Sequence, residues 1–156
     1  HAAASEWSDA DFVDGHVVYG MLNVNDISNL NNFDKYPVFL SMTCWDGYYV
    51  YPNPTGGQYE AMAEVFTKAA SKGAVAAWSA TGMGVARGHE YLNQGFFDAV
   101  FRDGMHSLGQ ATSYGKLFLW TSRENLDLID TYLLFGDPAT NIYIPRFVLQ
   151  LPLIMK

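Results

Sequence analysis

The segment Pro37-Val38-Phe39-Leu40-Ser41-Met42-Thr43-Cys44-Trp45-Asp46-Gly47 constrains the fold of this chain more than any other. It is a short continuous apolar run that stops at a turn, the pattern of a strand covered on both faces in a parallel sheet. The chain's only cysteine stands at the break. A single thiol forms no intrachain disulfide, so its place at the carboxyl edge of a strand has two readings. In open α/β folds that edge is where loops converge on a crevice and chemistry is done, which makes Cys44 a candidate nucleophile. The other reading, a small buried hydrophobe, describes most free cysteines.

The rest of the chain alternates strand and helix signals without repeats. Residues 1–35 are polar and rich in turn formers, with Asp26 placed to cap a short helix over 27–32. A loop rich in Tyr, Pro and Gly covers 48–57. Met62, Phe66 and Ala69 or Ala70 recur at helical spacing within 58–71, and Lys72-Gly73 supplies a stop. Ala74-Val75-Ala76-Ala77-Trp78 reads as a second short buried strand, followed by a small-residue loop over 79–88. The spacing of Leu92, Phe96 and Val100, then of Leu108, Ala111 and Leu117, predicts amphipathic helices over 91–102 and 108–121. A further helix is read over 126–135, ending at Gly136-Asp137-Pro138, and a strand over 141–144. Strands alternating with helices through short loops imply an α/β fold, an open, mostly parallel sheet with helices on both faces.

A chain of 156 residues, 49% of them hydrophobic, suffices for one core. The net charge of -7, with only nine Lys and Arg, leaves no basic patch for nucleic acid and disfavours an anionic membrane surface. No apolar run reaches the roughly eighteen residues of a transmembrane helix, so no membrane insertion is expected, and no amino-terminal signal peptide is read. The chain starts at His1 rather than Met, so it reads as either processed or cut from something longer, and the remainder of a larger parent chain is an expected partner. The domain is read over 1–145. Residues 146–156 form a tail or linker, apolar but short and interrupted by Pro152.

Several blocks, in order and spacing, resemble the gingipain family of cysteine peptidases. They are Lys35-Tyr36-Pro37 leading to Thr43-Cys44-Trp45-Asp46-Gly47, Ala63-Glu64 ahead of Gly73-Ala74-Val75-Ala76-Ala77, and above all Leu133-Leu134-Phe135-Gly136-Asp137-Pro138-Ala139. The likeness runs from His1 to the region of Pro145. It implies a caspase-like fold lacking its upstream strands, and a cysteine endopeptidase that hydrolyses peptide bonds through a Cys-His dyad and a thioester acyl-enzyme. An ordinary thiol is only slightly ionised at neutral pH, so such a nucleophile needs an imidazole beside it. In the family the base is a His followed by Gly, with a Trp often six positions on. His1 and Trp7 keep that spacing, with Ala2 in the glycine's place. The resemblance thus implies His1 as base and the N–H groups of Cys44 and Ala2 as oxyanion donors; alanine keeps the N–H but narrows the backbone angles. His16, in Gly15-His16-Val17, is the rival base. The residue that orients the His lies upstream in the family.

The resemblance also assigns Trp78 and the loop after it, with Ser79 and Thr81, to the wall of the pocket for the residue before the scissile bond. A core Trp is the other reading. Glu60 and Glu64 read as a solvated helix face or an ordering contact, His89 and His106 as capping or surface residues, and Asp137 as a turn former. Asp9, Asp11 and Asp14 lack EF-hand spacing and read as a solvated turn. No cofactor is expected, calcium being left open only because some family members use it. A peptide or protein substrate and a secreted or cell-surface location follow from the resemblance. Ala2 keeps an alternative open, a catalytically inactive caspase-like binding or assembly module of a larger secreted protein. A flavodoxin-like small-molecule binder is disfavoured, because Thr81-Gly82-Met83-Gly84 lacks the spacing and the Lys of a phosphate loop.

Overall fold

A computed structural model describes residues 2–3, 6–9, 19–50 and 60–144, with the backbone alone for those before 22. The expectations for His1, His16, Asp11, Asp14 and the 146–156 tail lie outside the described residues. Three short strands, Ala2–Ala3 (β1), Glu6–Asp9 (β2) and Tyr19–Asn23 (β3), form an antiparallel sheet in that order. A 3-10 turn follows at Asp26–Asn29, and the Asp26 carboxylate accepts the Asn23 N–H at 2.9 Å.

The second sheet carries the cysteine. It consists of Val38–Leu40 (β4), Ala76–Ala80 (β5) and Tyr132–Phe135 (β6), in the order β4-β5-β6. β4 runs parallel to β5, in register Val38 to Ala76 and Leu40 to Trp78. The Ser41 N–H donates to the Trp78 carbonyl at 3.0 Å, which extends the ladder one residue toward Cys44. β6 is antiparallel to β5, so the sheet is mixed rather than mostly parallel. This corrects the helix read over 126–135: only Leu128–Thr131 (α4) is helical. Four consecutive apolar residues satisfy the helical and the strand period alike, and the open edge of β5 decides between them. There Tyr132 pairs with Ala80 and Leu134 with Trp78, and Tyr132 becomes fully buried. The strand expected over 141–144 is reduced to one bridge, Ser107 to Asn141.

Side chains alternate across a strand, so successive β4 residues serve two cores. On one face lies Met62–Lys68 (α1), whose Phe66 stacks on Phe39 at 4.3 Å beside Ile27, Met62 and Ala74. On the other lie Ala86–Phe97 (α2), continued by a π-helical turn Asp98–Arg102, and Leu108–Ser122 (α3). These cover Val38, Leu40, Ala76, Trp78 and Ala80. α3 approaches the sheet closely at Gly115, where a methyl group would stand 2.7 Å from the Trp78 ring and 2.9 Å from the Leu92 carbonyl. The expected α/β arrangement with helices on both faces is therefore present. α2 begins five residues earlier than its apolar spacing indicated, which places His89 on its first turns.

Candidate functional site

The loop after β4 is tied down bond by bond. Tyr132 donates its hydroxyl to the Ser41 carbonyl at 2.8 Å, and the buried Ser41 hydroxyl donates to the buried Asp46 carboxylate. The Trp45 N–H reaches the Gly82 carbonyl at 3.0 Å and the Gly47 N–H the Ala80 carbonyl at 2.8 Å. Between these anchors Trp45, the residue after the cysteine, has φ of 61°, a left-handed conformation that bulky residues seldom adopt. The surrounding hydrogen bonds hold it there. Burial, with Cys44 and the Asp46 carboxylate nearby, pushes the Tyr132 hydroxyl above its ordinary range, so at neutral pH it remains a donor.

Cys44 is half-buried in the middle of this loop. Its Sγ donates to the Gly84 carbonyl at 3.2 Å and accepts the Gly84 N–H at 3.3 Å. The sulfur opens on a pocket of about 620 Å³ lined by Met42, Thr43, Cys44, Gly84, Ala86, His89, Glu90 and Asn93. One wall is thus the carboxyl end of β4 and the other is the start of α2. His89 is 6% exposed, its ring edge-on to Tyr132 at 5.6 Å, and its Nε2 has no hydrogen-bond partner among the described residues. Burial lowers its pKa, which keeps the imidazole neutral at physiological pH.

His89 corrects the expectation of a capping or surface residue. A signal for it was present: His89, Leu92 and Phe96 stand at i, i+3 and i+7, so the apolar stripe of α2 extends back one turn to a histidine. The three residues assigned to the pocket wall are elsewhere. Trp78 is fully buried in the core between Phe96 and Tyr132. Ser79 is fully buried as well, and Thr81 donates its hydroxyl to the Thr131 carbonyl at 2.8 Å. None of them lines the pocket at Cys44. The reason is register: β5 is central in its sheet and buried along its whole length, and only from Gly84 onward does the chain turn toward the sulfur.

The remaining candidates have structural partners or solvent. The Glu64 carboxylate accepts the Ala61 N–H at 3.1 Å at the start of α1, and Lys68 pairs with both Glu60 and Glu64. Asp137 accepts the Ala139 N–H at 2.8 Å in its turn, and His106 is exposed. Among the described residues no three or more His, Cys, Asp or Glu side chains cluster to hold a metal ion, and no helix is long and apolar enough to cross a membrane.

Two solved structures share the architecture. The Arg-specific cysteine proteinase gingipain R (RgpB) superposes with a TM-score of 0.67 at 18% identity, covering 91% of this chain and 32% of that one. The complex of Porphyromonas gingivalis RgpB pro- and mature domains superposes with a TM-score of 0.66 at 19% identity, covering 89% and 31%. At these identities the likeness shows the fold, which is caspase-like, and the chain spans about a third of the length of the proteins it matches. No curated protein sequence matches the chain. The sequence profile of Peptidase family C25 does match, over residues 1–143, so nearly the whole chain carries that family's pattern, with Cys44 at the mouth of a pocket inside it. The chain belongs to Peptidase family C25, the gingipain-type cysteine peptidases.

Proposed function

We propose that Cys44 is the nucleophile of a cysteine endopeptidase that works as a dyad with His1 and passes through a thioester acyl-enzyme. The observation that carries this reading is the position of Cys44. The only thiol in a chain of this peptidase family stands at the carboxyl end of β4, in a loop held by the sheet and open to a pocket. In the reaction the imidazole of His1 takes the thiol proton and Sγ attacks the peptide carbonyl. The N–H groups of Cys44 and Ala2 hold the oxygen of the tetrahedral intermediate. The same imidazole returns the proton to the leaving amine, and water then hydrolyses the thioester. His16 is the rival for the base. The reaction as written draws on no metal or cofactor, acts on a peptide or protein, and belongs to a larger, secreted or cell-surface parent of which this chain is a part.

Ala2, where the family has glycine, favours a second reading, an inactive binding or assembly module. Hydrolysis of labelled casein by the full-length protein decides between them. Cys44→Ala should abolish it, and His1→Ala should lower the rate by orders of magnitude, while His16→Ala and His106→Ala leave it in place. Full activity in Cys44→Ala overturns the peptidase mechanism. Loss in His16→Ala but not in His1→Ala transfers the base to the rival.

A further inference from the structure

Cys44 and His89 meet on one residue. The Gly84 carbonyl receives the Cys44 S–H and the Gly84 N–H goes to the same sulfur. The Gly84 Cα lies against the imidazole, where a methyl group would stand 2.2 Å from Nε2. That nitrogen is buried and has no hydrogen-bond partner among the described residues. A leucine would fill the same space beside Leu128 and Tyr132 and leave no polar atom unmet, so an imidazole here calls for a partner that arrives at another stage of the reaction.

Ionisation of the thiol supplies that stage. The Gly84 N–H bond to sulfur strengthens once the sulfur is charged, whereas the Gly84 carbonyl loses its donor and faces an anion. A turn of the Gly84 peptide relieves this, and Nε2 is the polar atom beside it. We propose that His89 is a positioning residue for the nucleophile: its Nε2–H takes over the Gly84 carbonyl as the thiol proton leaves, and so keeps the Gly84 N–H on the thiolate. The step balances. The S–H bond breaks, its electron pair stays on sulfur, its proton passes to the imidazole of the dyad, and one hydrogen bond on the Gly84 carbonyl replaces another. Among the described residues the ionisable groups around the pair are Tyr132 behind the His89 ring, Asp46 in the loop of the thiol, and Glu90 next to His89 on the pocket rim.

This inference rests on the reading of Cys44 as nucleophile, and the test separates the two. In the full-length protein the rate of Cys44 alkylation by iodoacetamide at neutral pH is measured beside kcat and KM for casein hydrolysis, for wild type, His89→Gln, His89→Phe and His89→Leu. The Phe and Leu variants should alkylate about ten-fold more slowly and lose kcat at unchanged KM, whereas Gln, which keeps an N–H donor, retains most of the wild-type rate. Phe or Leu reacting like wild type overturns the proposal, and so does Gln falling as far as they do. If the variants do not fold, the wild type still decides: the Nε2 resonance of ¹⁵N-labelled histidine should shift in step with thiolate absorbance as pH rises, and a Nε2 that ignores the thiolate overturns the role. A wild-type sulfur no more reactive than free cysteine sinks the nucleophile, and the positioning role with it. A fast sulfur indifferent to residue 89 sinks the positioning role alone.

Discussion

The loops leaving the carboxyl ends of β4 and β5 meet at one sulfur but are anchored unequally. The first is fastened along its length, through the Tyr132 hydroxyl on Ser41, the Ser41 hydroxyl on Asp46, and the N–H groups of Trp45 and Gly47 on Gly82 and Ala80. The second is fastened near its root, where Thr81 places both its N–H and its hydroxyl on the Thr131 carbonyl at 2.8 Å. Beyond Gly82 its side chains Met83 and Val85 are 69% and 56% exposed, and Gly84 is joined to Cys44 by sulfur hydrogen bonds. Segments with few buried apolar contacts open at low free energy, so the sulfur sits on the stiff side of the cleft and the adjustable side faces it. That division would suit the proposed peptidase, which has to hold an attacking atom still while admitting a chain.

The largest effect expected from this contrast is chemical. Cys44→Ala should cost the full-length protein its peptide hydrolysis while changing unfolding free energy by less than about 1 kcal/mol, because the sulfur is half-buried and its bonds are weak. A large drop in melting temperature would make Cys44 a core residue and reverse the contrast. Next comes the fastening itself. Asp46→Ala removes a buried carboxylate and strands the Ser41 hydroxyl, at a cost of about 3 kcal/mol measurable by urea unfolding. A cost near zero would show that the first loop is no stiffer than the second.

Two titrations sharpen the comparison. Tyr132→Phe deletes the bond to Ser41, for a loss of about 1 kcal/mol at neutral pH. The folded protein holds the Tyr132 proton to higher pH than the unfolded chain does. Stability is therefore complete below the ordinary tyrosine pKa of about 10 and declines above it, and the Phe variant should lose that share of the alkaline decline. His89 runs the other way. Burial lowers its pKa, so below about pH 6.5 the unfolded chain binds a proton that the folded protein refuses, and stability falls as pH falls until the folded pKa is passed. His89→Gln should flatten that acid limb. An acid limb identical to that of wild type would mean that the imidazole is accessible and protonated in place.

Much of this was legible in the sequence, for reasons that differ from residue to residue. The apolar run into Cys44 announced both a strand and a candidate nucleophile, and the spacing of Leu92, Phe96 and Val100 announced a helix packed on the sheet. Tyr132 to Phe135 was not legible, because four apolar residues in a row carry no period and the open edge of β5 chose between helix and strand. Trp78 was ambiguous in sequence, since a tryptophan at a strand end serves a core or a pocket, and the central position of β5 decided for the core. The contact between Cys44 and Gly84 spans forty residues, and no local spacing encodes it. His89 was missed because histidine beside glycine reads as a helix cap, although the apolar stripe of α2 leads back to it.

The smallest effect falls on the exposed side of the cleft. Met83 stands 69% exposed in the segment between Gly82 and Gly84, so Met83→Ser removes little buried surface and should move the unfolding free energy by no more than about 0.5 kcal/mol. Because the segment is fastened beyond Gly82 through Gly84 and the sulfur, the same change should alter KM more than kcat if this loop meets the substrate. A cost of several kcal/mol would place Met83 in a packed interface and erase the difference between the two loops. A KM equal to that of wild type would confine substrate recognition to the β4 side and the start of α2, where Met42 and Asn93 line the pocket.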